Sequence, residues 1–342
     1  MRRNVLIIAG LISIFSFLSC ETDFDVTAEW EDITIVYGLL SQNDSVHQIK
    51  VNKAFLGDGN LIEYAGIEDS SIYDSDITVK LQELDDNGVR REFGLDTTVI
   101  HNKEEGVFYH PDQVIYTTGK DNKVFLDDDY TYRVEIYIPS KDKTVWATTE
   151  LVNDFDIHKP RLNSLTQPTI HFPNNESTRE ILWSTAENGR RYQLKIYFHI
   201  REHLAGGETR NRTLTWETFD VQRSKDIDGG NSMMITFPNN RFYEFATENV
   251  PYEDEEKEAQ VNIRDAQSLV FEISVASDIF DTYMEIYEPS TSIIQYRPEF
   301  TNIENGMGLF ASRYVKTRKL YLFRNTKEYL NELEIKFRQP AK

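Results

Sequence analysis

Short runs of β-branched and aromatic residues, broken by turn chemistry roughly every eight to twelve positions, constrain this chain more than any other feature. Ile33–Leu40 and Val46–Phe55 are two such runs, and Gln42-Asn-Asp-Ser45 between them makes the pair a hairpin. Ile77–Leu84 alternates apolar and polar residues, the mark of a half-buried strand, and Asp86-Asn-Gly88 turns it back into Val89–Leu95. Val107–Tyr109 and Val114–Tyr116 read as short strands around Pro111. In Leu126–Tyr137 an acidic turn leads into Tyr130, Tyr132, Val134 and Ile136 on one face, with Val145–Thr149 as the expected hairpin partner. Beyond Pro160, Glu180–Ser184 and Tyr192–Ile200 begin a second β pattern, joined by Glu187-Asn-Gly189. Thr213–Val221, Met233–Phe237, Ser268–Ala276 and Tyr314–Phe323 continue it. Helical spacing is confined to three short stretches, at Asn240–Asn249, Ser277–Glu288 and Thr326–Glu334. The middle one is expected to start at Ser277 or Asp278, stop at Pro289, and lay an aromatic face on the second sheet.

The chain opens with Arg2 and Arg3, an apolar run from Val5 to Leu18, and Ser19 directly before its only cysteine, Cys20. A basic n-region followed by an apolar core of that length suits a secretion signal; a membrane span needs about 20 apolar residues. The ending Phe17-Leu18-Ser19-Cys20 resembles a bacterial lipobox, which makes Cys20 the lipidation site and the bilayer a partner through its acyl chains. With no second thiol there is no disulfide, so the fold rests on its apolar cores. Glu21-Thr-Asp-Phe-Asp25 behind the cysteine resembles the acidic export signal of surface-exposed lipoproteins in Bacteroidota.

A net charge of −20, from 37 basic against 57 acidic residues, excludes nucleic acid as a partner and disfavours anionic membrane surfaces. The length exceeds what one core usually supports, so the sequence reads as two domains. The expected division is a signal peptide (1–19), an acidic tether (20–32), an N-terminal β-sandwich (33–150), a linker (151–160), and a C-terminal β-sandwich with a few short helices (161–342). The fold class is all-β. Leu126–Tyr137 resembles the tyrosine-corner strand of immunoglobulin-like sandwiches, and the Trp183 strand with Tyr192–Ile200 resembles a fibronectin type III sandwich.

Tyr37-Gly-Leu-Leu40, Val51-Asn-Lys-Ala-Phe55, Gly106-Val-Phe-Tyr109, Leu126–Tyr132 and Thr301-Asn-Ile-Glu-Asn-Gly-Met-Gly-Leu-Phe310 together resemble an uncharacterised family of outer-membrane lipoproteins in Bacteroidota. Its genes often neighbour those of TonB-dependent receptors. The resemblance implies an outer-leaflet lipoprotein cooperating with a β-barrel, without catalytic residues to transfer. In the last motif, Asn305-Gly306 and Gly308 offer positive φ beside the apolar Met307, Leu309 and Phe310. It reads as a tight loop pinned to the second domain's core. The alternative is a partner-docking loop through Asn302, Asn305, Gly306, Gly308 and Phe310.

Sequence patterns for chemistry are weak. His199 and His203 lie four apart, but on a strand and without the glutamate of HExxH, so they do not read as a zinc pair. Asp226–Asn231 and Asp127–Asp129 place carboxylates at turns without completing a calcium loop, and Glu253–Glu258 is a charged loop. No nucleophile elbow, P-loop or dinucleotide fingerprint occurs, and no cofactor is implied. Trp30, Trp146, Trp183 and Trp216 could form a sugar-stacking platform or serve as ordinary strand packing. The leading expectation is therefore a non-enzymatic subunit of an outer-membrane β-barrel complex, a TonB-dependent transporter or envelope-assembly machine. A surface lipoprotein that captures a glycan or peptide is the alternative, and an envelope hydrolase a remote one.

Overall fold

The computed structural model describes residues 31–56, 61–73, 76–107, 109–119, 121, 123–250, 261–288 and 299–337. β1 (Glu31–Leu40) and β2 (Gln48–Leu56) form the antiparallel hairpin that their β-branched content dictates. Its turn closes on Ser41, whose carbonyl accepts the Asp44 N–H at 3.1 Å and whose hydroxyl accepts the Asn43 N–H at 3.3 Å. Two short helices that the apolar pattern does not announce follow, α1 (Leu61–Ala65) and α2 (Glu68–Ser71). β3 (Thr78–Asp85) returns into β4 (Gly88–Gly94) with Gly88 at φ +114°, a conformation that favours a residue without Cβ. β5 (Asp96–Ile100) was not expected; it pairs with β6 (Gln113–Thr117). Val107 and Tyr109, expected on a strand, lie in irregular backbone, where Tyr109 N–H donates to the Ala65 carbonyl at 2.9 Å. β7 (Thr131–Ile138) buries Tyr132, Val134, Ile136 and Ile138 on one face and pairs with β8 (Lys143–Glu150).

The stretch expected to link two domains is core instead. Leu151, Val152, Phe155 and Ile157 are at most 5% exposed, and β9 (Ile157–Lys159) is a strand within it. Four apolar side chains over seven residues drive that burial, and Pro160 ends the strand as expected. The chain continues through β10 (Thr169–Ile170), β11 (Thr178–Ser184), β12 (Gly189–Leu204), β13 (Thr209–Trp216), β14 (Gln222–Arg223) and β15 (Ser232–Pro238). α3 (Arg241–Asn249) precedes the long β16 (Val261–Ser277), which runs directly into α4 (Asp278–Tyr287). β17 (Met307–Leu322) and α5 (Arg324–Glu332) complete the order.

These elements form an all-β architecture of sandwich-like units. One large sheet runs β13-β12-β16-β17-β1-β2-β6-β5, with β10 on β17 and β14 on β12. Two smaller sheets cover it: β4-β3-β7-β8 over one half and β15-β11-β9 over the other. The first core packs Val36, Leu40 and Ile49 against Leu81, Val134 and Ile136; the second packs Trp183, Tyr192, Phe198 and Phe271 with the α3 aromatics. β17 stitches the halves together. Met307–Ser312 run parallel to β1, whereas Arg313–Leu320 run antiparallel to β16. Ile303 and Phe310 thus belong to the first core, although the sequence division assigns them to the second domain.

Candidate functional site

Cys20, Trp30 and Glu253–Glu258 lie outside the described residues. The first described element is β1, so the expected tether leads straight into the strand that β17 shares between the two halves. Among the described residues, no helix is long and apolar enough to cross a membrane.

The Thr301–Phe310 motif is clamped to the first core, which corrects the expectation that it is pinned to the second. Asn302 Nδ2 donates to the Phe310 carbonyl at 2.7 Å, and its Oδ1 accepts the Phe310 N–H at 2.9 Å. Glu304 bridges to the Trp146 backbone, and Asn305, at φ 60°, donates Nδ2 to the Thr144 carbonyl at 3.0 Å. A Cβ on Gly306 would sit 2.7 Å from the Thr34 carbonyl oxygen, and one on Gly308, at φ +118°, would overlap the Val36 carbonyl. Phe310 is fully buried and packs on Gly38 of β1, where a Cβ would come within 2.8 Å of its ring. Tyr37-Gly-Leu-Leu40 and the Met307–Phe310 end of the motif are therefore neighbouring strands, locked by small residues at the crossing. Of the five residues considered for docking, Gly308 and Phe310 are buried and Asn302 and Gly306 half-buried, whereas Asn305 is exposed.

Of the described candidate metal groups only Asp127–Asp129 converges. His199 and His203 occupy β12, with His199 Nδ1 2.8 Å from Thr213 Oγ1 and His203 Nε2 2.7 Å from Asp265 Oδ2. Two residues four apart on a strand are separated by about 13 Å along it, which no single ion spans. Asp226 is occupied by Asn231, whose Nδ2 lies 3.0 Å from its Oδ1. Asp127, Asp128 and Asp129 do cluster, but all three are exposed. Asp127 accepts the Asp129 N–H at 3.2 Å, and Asp128 accepts Gln42 Nε2 at 3.3 Å.

In two buried carboxylates, Glu83 and Glu202, the surrounding arginines favour the anion. Glu83 on β3, with its side chain fully enclosed, accepts from Arg90, Arg91 and the Tyr132 hydroxyl. Burial alone would raise its pKa, but hydrogen bonds from Arg91, Arg90 and Tyr132 outweigh that and leave it below the usual glutamate value. Glu202 on β12 accepts Arg210 Nε at 2.8 Å, Arg212 Nε at 3.1 Å and Arg264 Nε at 3.1 Å. There too the three arginines overcome burial and hold the carboxyl low. On α4, Asp281 is gripped by Arg191 and Arg223 at 3.2 and 2.8 Å. Ser277 caps that helix without a side-chain hydrogen bond, and its tyrosines reach β1, with Tyr283 edge-on to Tyr37 at 6.5 Å. A general acid needs the opposite displacement, a carboxyl raised toward neutrality.

Of the described tryptophans, Trp183 and Trp216 are at most 3% exposed and belong to the second core. Trp146, 37% exposed, shares the outer face of β7 and β8 with Tyr137, one step along the strands. A second, partly exposed aromatic group is Tyr37, Tyr283 and Tyr287, with successive ring centres 6.5 and 4.5 Å apart.

One cleft among the described residues was not foreseen. It has a volume of about 590 Å³ and lies where β9 and the start of β11 face β10, the short strand joined to β17. Lys159, Arg161, Arg179 and Glu180 give it its charge, and His171 lines it beside them. Lys159 is ion-paired to Glu180. Arg179 donates Nε to Asn239 Oδ1 at 3.1 Å and Nη2 to the His171 carbonyl, and its guanidinium lies 5.2 Å from the centre of the buried Phe172 ring. Burial lowers the Arg179 pKa. Arg318 on β17 donates Nη1 to the carbonyl of Pro160, another wall residue, at 2.7 Å. The only local signal in the sequence is Lys159-Pro-Arg161, a basic triplet in an acidic chain.

No family model matches the chain, and no curated protein matches it. Among solved structures, the C-terminal globular domain of an oligosaccharyltransferase from Pyrococcus abyssi is similar to it, at 10% identity and a TM-score of 0.23. The match covers 72% of this chain and 47% of that one, so the chain spans under half the length of that structure.

Proposed function

We propose that this protein is a lipid-anchored, non-enzymatic accessory subunit of an outer-membrane β-barrel complex, facing the cell exterior. The barrel is a TonB-dependent transporter or an envelope-assembly machine. The observation that carries the reading is the signal-like stretch ending at Cys20, which lies roughly ten residues ahead of β1. That length spans at most about 35 Å, enough to hold a folded body just clear of the headgroups. The anchor would pull on β1, which lies between β17 and β2 and is therefore secured on both edges. The Asn302–Gly306 loop supports the same geometry, since Gly306 packs on Thr34 and so sits at the end of the body where the tether joins. The low-pKa, arginine-bound state of Glu83 and Glu202 supports a structural rather than a catalytic use of buried charge.

The test is recovery of the native lipoprotein from detergent-solubilised outer membranes. A large β-barrel should come with it, and Cys20→Ser should lose both metabolic acyl label and membrane retention. A clean monomer from mild detergent would overturn the subunit reading, and an unlabelled wild-type chain the anchor. Protease shaving of intact cells that spares the protein would overturn its outward orientation alone.

A further inference from the structure

The cleft between β9, β10 and β11 is charged against the character of the whole chain. In a protein of net −20, nearly every described arginine finds a carboxylate, from Arg90 and Arg91 on Glu83 to Arg324 on Glu328. Among the described residues the exceptions are Arg161, Arg179, Arg201 and Arg318, and Arg201 is satisfied on the exposed edge by Asn211 Oδ1 at 3.3 Å. The other three gather at one place. Arg161 and Arg179 line the cleft, and Arg318 is fixed to its wall through Pro160. Of the acids nearby, Glu180 holds Lys159, and the exposed Asp156 acts on Arg318 from a distance rather than on Arg161 or Arg179.

Desolvated guanidinium groups are normally matched by an anion, because removing a charge from water without a counter-charge is expensive. Arg179 is the telling case. It is oriented by two neutral acceptors and an aromatic face, which fixes its position without neutralising it. A fixed, unneutralised guanidinium presents a planar fork suited to bidentate contact with an oxyanion. The volume, about 590 Å³, exceeds that of a bare inorganic ion and suits a ligand the size of one or two sugars or a short peptide end.

We propose that this cleft is a binding site for a small ligand carrying a carboxylate, held by Arg179 and Arg161. The carboxylate belongs to an acidic sugar or to a peptide C-terminus; the chemistry of recognition is the same for both. The site does not depend on where the chain is anchored, so it can stand or fall separately from the subunit role.

The experiment uses the full-length chain in detergent, titrated calorimetrically with glucuronate and with N-acetyl-Ala-Ala. Glucose and the amidated dipeptide serve as neutral partners. One of the two carboxylates should bind, its neutral partner should not, and which one binds identifies the source. Affinity should fall with added salt, and by about tenfold or more in Arg179→Gln, the loss expected for a charge-assisted contact. Arg161 is exposed, so Arg161→Gln tests the site with little risk of unfolding; it should weaken binding several-fold. Absence of binding by both carboxylates at about 10 mM, a range that would still reveal a very weak site, overturns the proposal. So does equal binding of the neutral partners, or unchanged affinity in Arg161→Gln together with a folded Arg179→Gln.

Discussion

The two sandwiches meet the same two requirements, a tyrosine at a corner and a carboxylate in the core, and connect them differently. In the first, Tyr132 accepts the Asp127 N–H at 2.8 Å and its hydroxyl also lies 2.9 Å from Glu83 Oε2, so corner and carboxylate form one network. In the second, Tyr192 accepts the Ala186 N–H at 2.8 Å while Glu202 is served by arginines alone. The cations differ as well. Arg90 and Arg91 keep about 40% of their side chains in water, whereas Arg264 keeps 1%. Burying the partner makes the second network more dependent on its anion than the first.

The largest effect should therefore come from Glu202→Ala, which takes the carboxylate away from the buried Arg264 and leaves its Nη1 on the Ile335 carbonyl. Urea unfolding should show a loss of about 3–5 kcal/mol, the range for an uncompensated buried charge. Glu83→Ala should lose less, about 1–3 kcal/mol, because Arg90 and Arg91 can turn to solvent. Equal losses would mean that the exposure of the cations does not set the difference. Between these falls Gly308→Ala, at about 3 kcal/mol, since it combines a strained φ with overlap on the Val36 carbonyl. Because Gly308 sits where β17 joins β1, both cores should lose stability together. A variant in which tryptophan emission (Trp183, Trp216) is unchanged while the first core melts would separate the halves.

Acid should probe both carboxylates with the same sign. Each has a folded pKa held below the ordinary 4.5, so the unfolded state takes up protons first as pH falls. Their contribution is complete above 4.5, declines below it, and is gone once the folded carboxylates protonate. Glu202→Gln and Glu83→Gln should each flatten the acid limb of a stability-versus-pH curve. A limb unchanged in both would assign acid sensitivity elsewhere.

Much of this architecture is legible in the sequence, because strand alternation and turn chemistry are local. Val134 and Ile136 declare their buried face, and Asp86-Asn-Gly88 declares its turn. What the sequence conceals is pairing at a distance. Nothing local tells that Met307–Ser312 run alongside β1, so the motif around Gly308 reads as a second-domain loop or a docking surface until its neighbour is known. The 151–160 segment misleads for a related reason: Pro160 suggests a linker, while the partner strand β11 that buries it lies some twenty residues on. Arg179 is invisible as a site residue because what distinguishes it is the absence of a carboxylate in three dimensions. The corner tyrosine is the opposite case, a long-range feature carried by a short motif.

That corner offers the finest test of the comparison. Tyr132→Phe removes a hydroxyl that satisfies the Asp127 N–H and contacts a charged carboxylate, so it should cost about 2 kcal/mol. Tyr192→Phe removes the partner of the Ala186 N–H, but its own acceptors lie at 3.4 and 3.5 Å, so about 1 kcal/mol is expected. Double-mutant cycles sharpen the point beyond these small differences. Tyr132→Phe combined with Glu83→Gln should be non-additive, because either change alone already breaks the shared contact. Tyr192→Phe combined with Glu202→Gln should add to within about 0.5 kcal/mol, because no hydrogen bond joins them. If both pairs add, the hydroxyl of Tyr132 contributes only through the backbone of its corner, and the two sandwiches differ in their arginines alone.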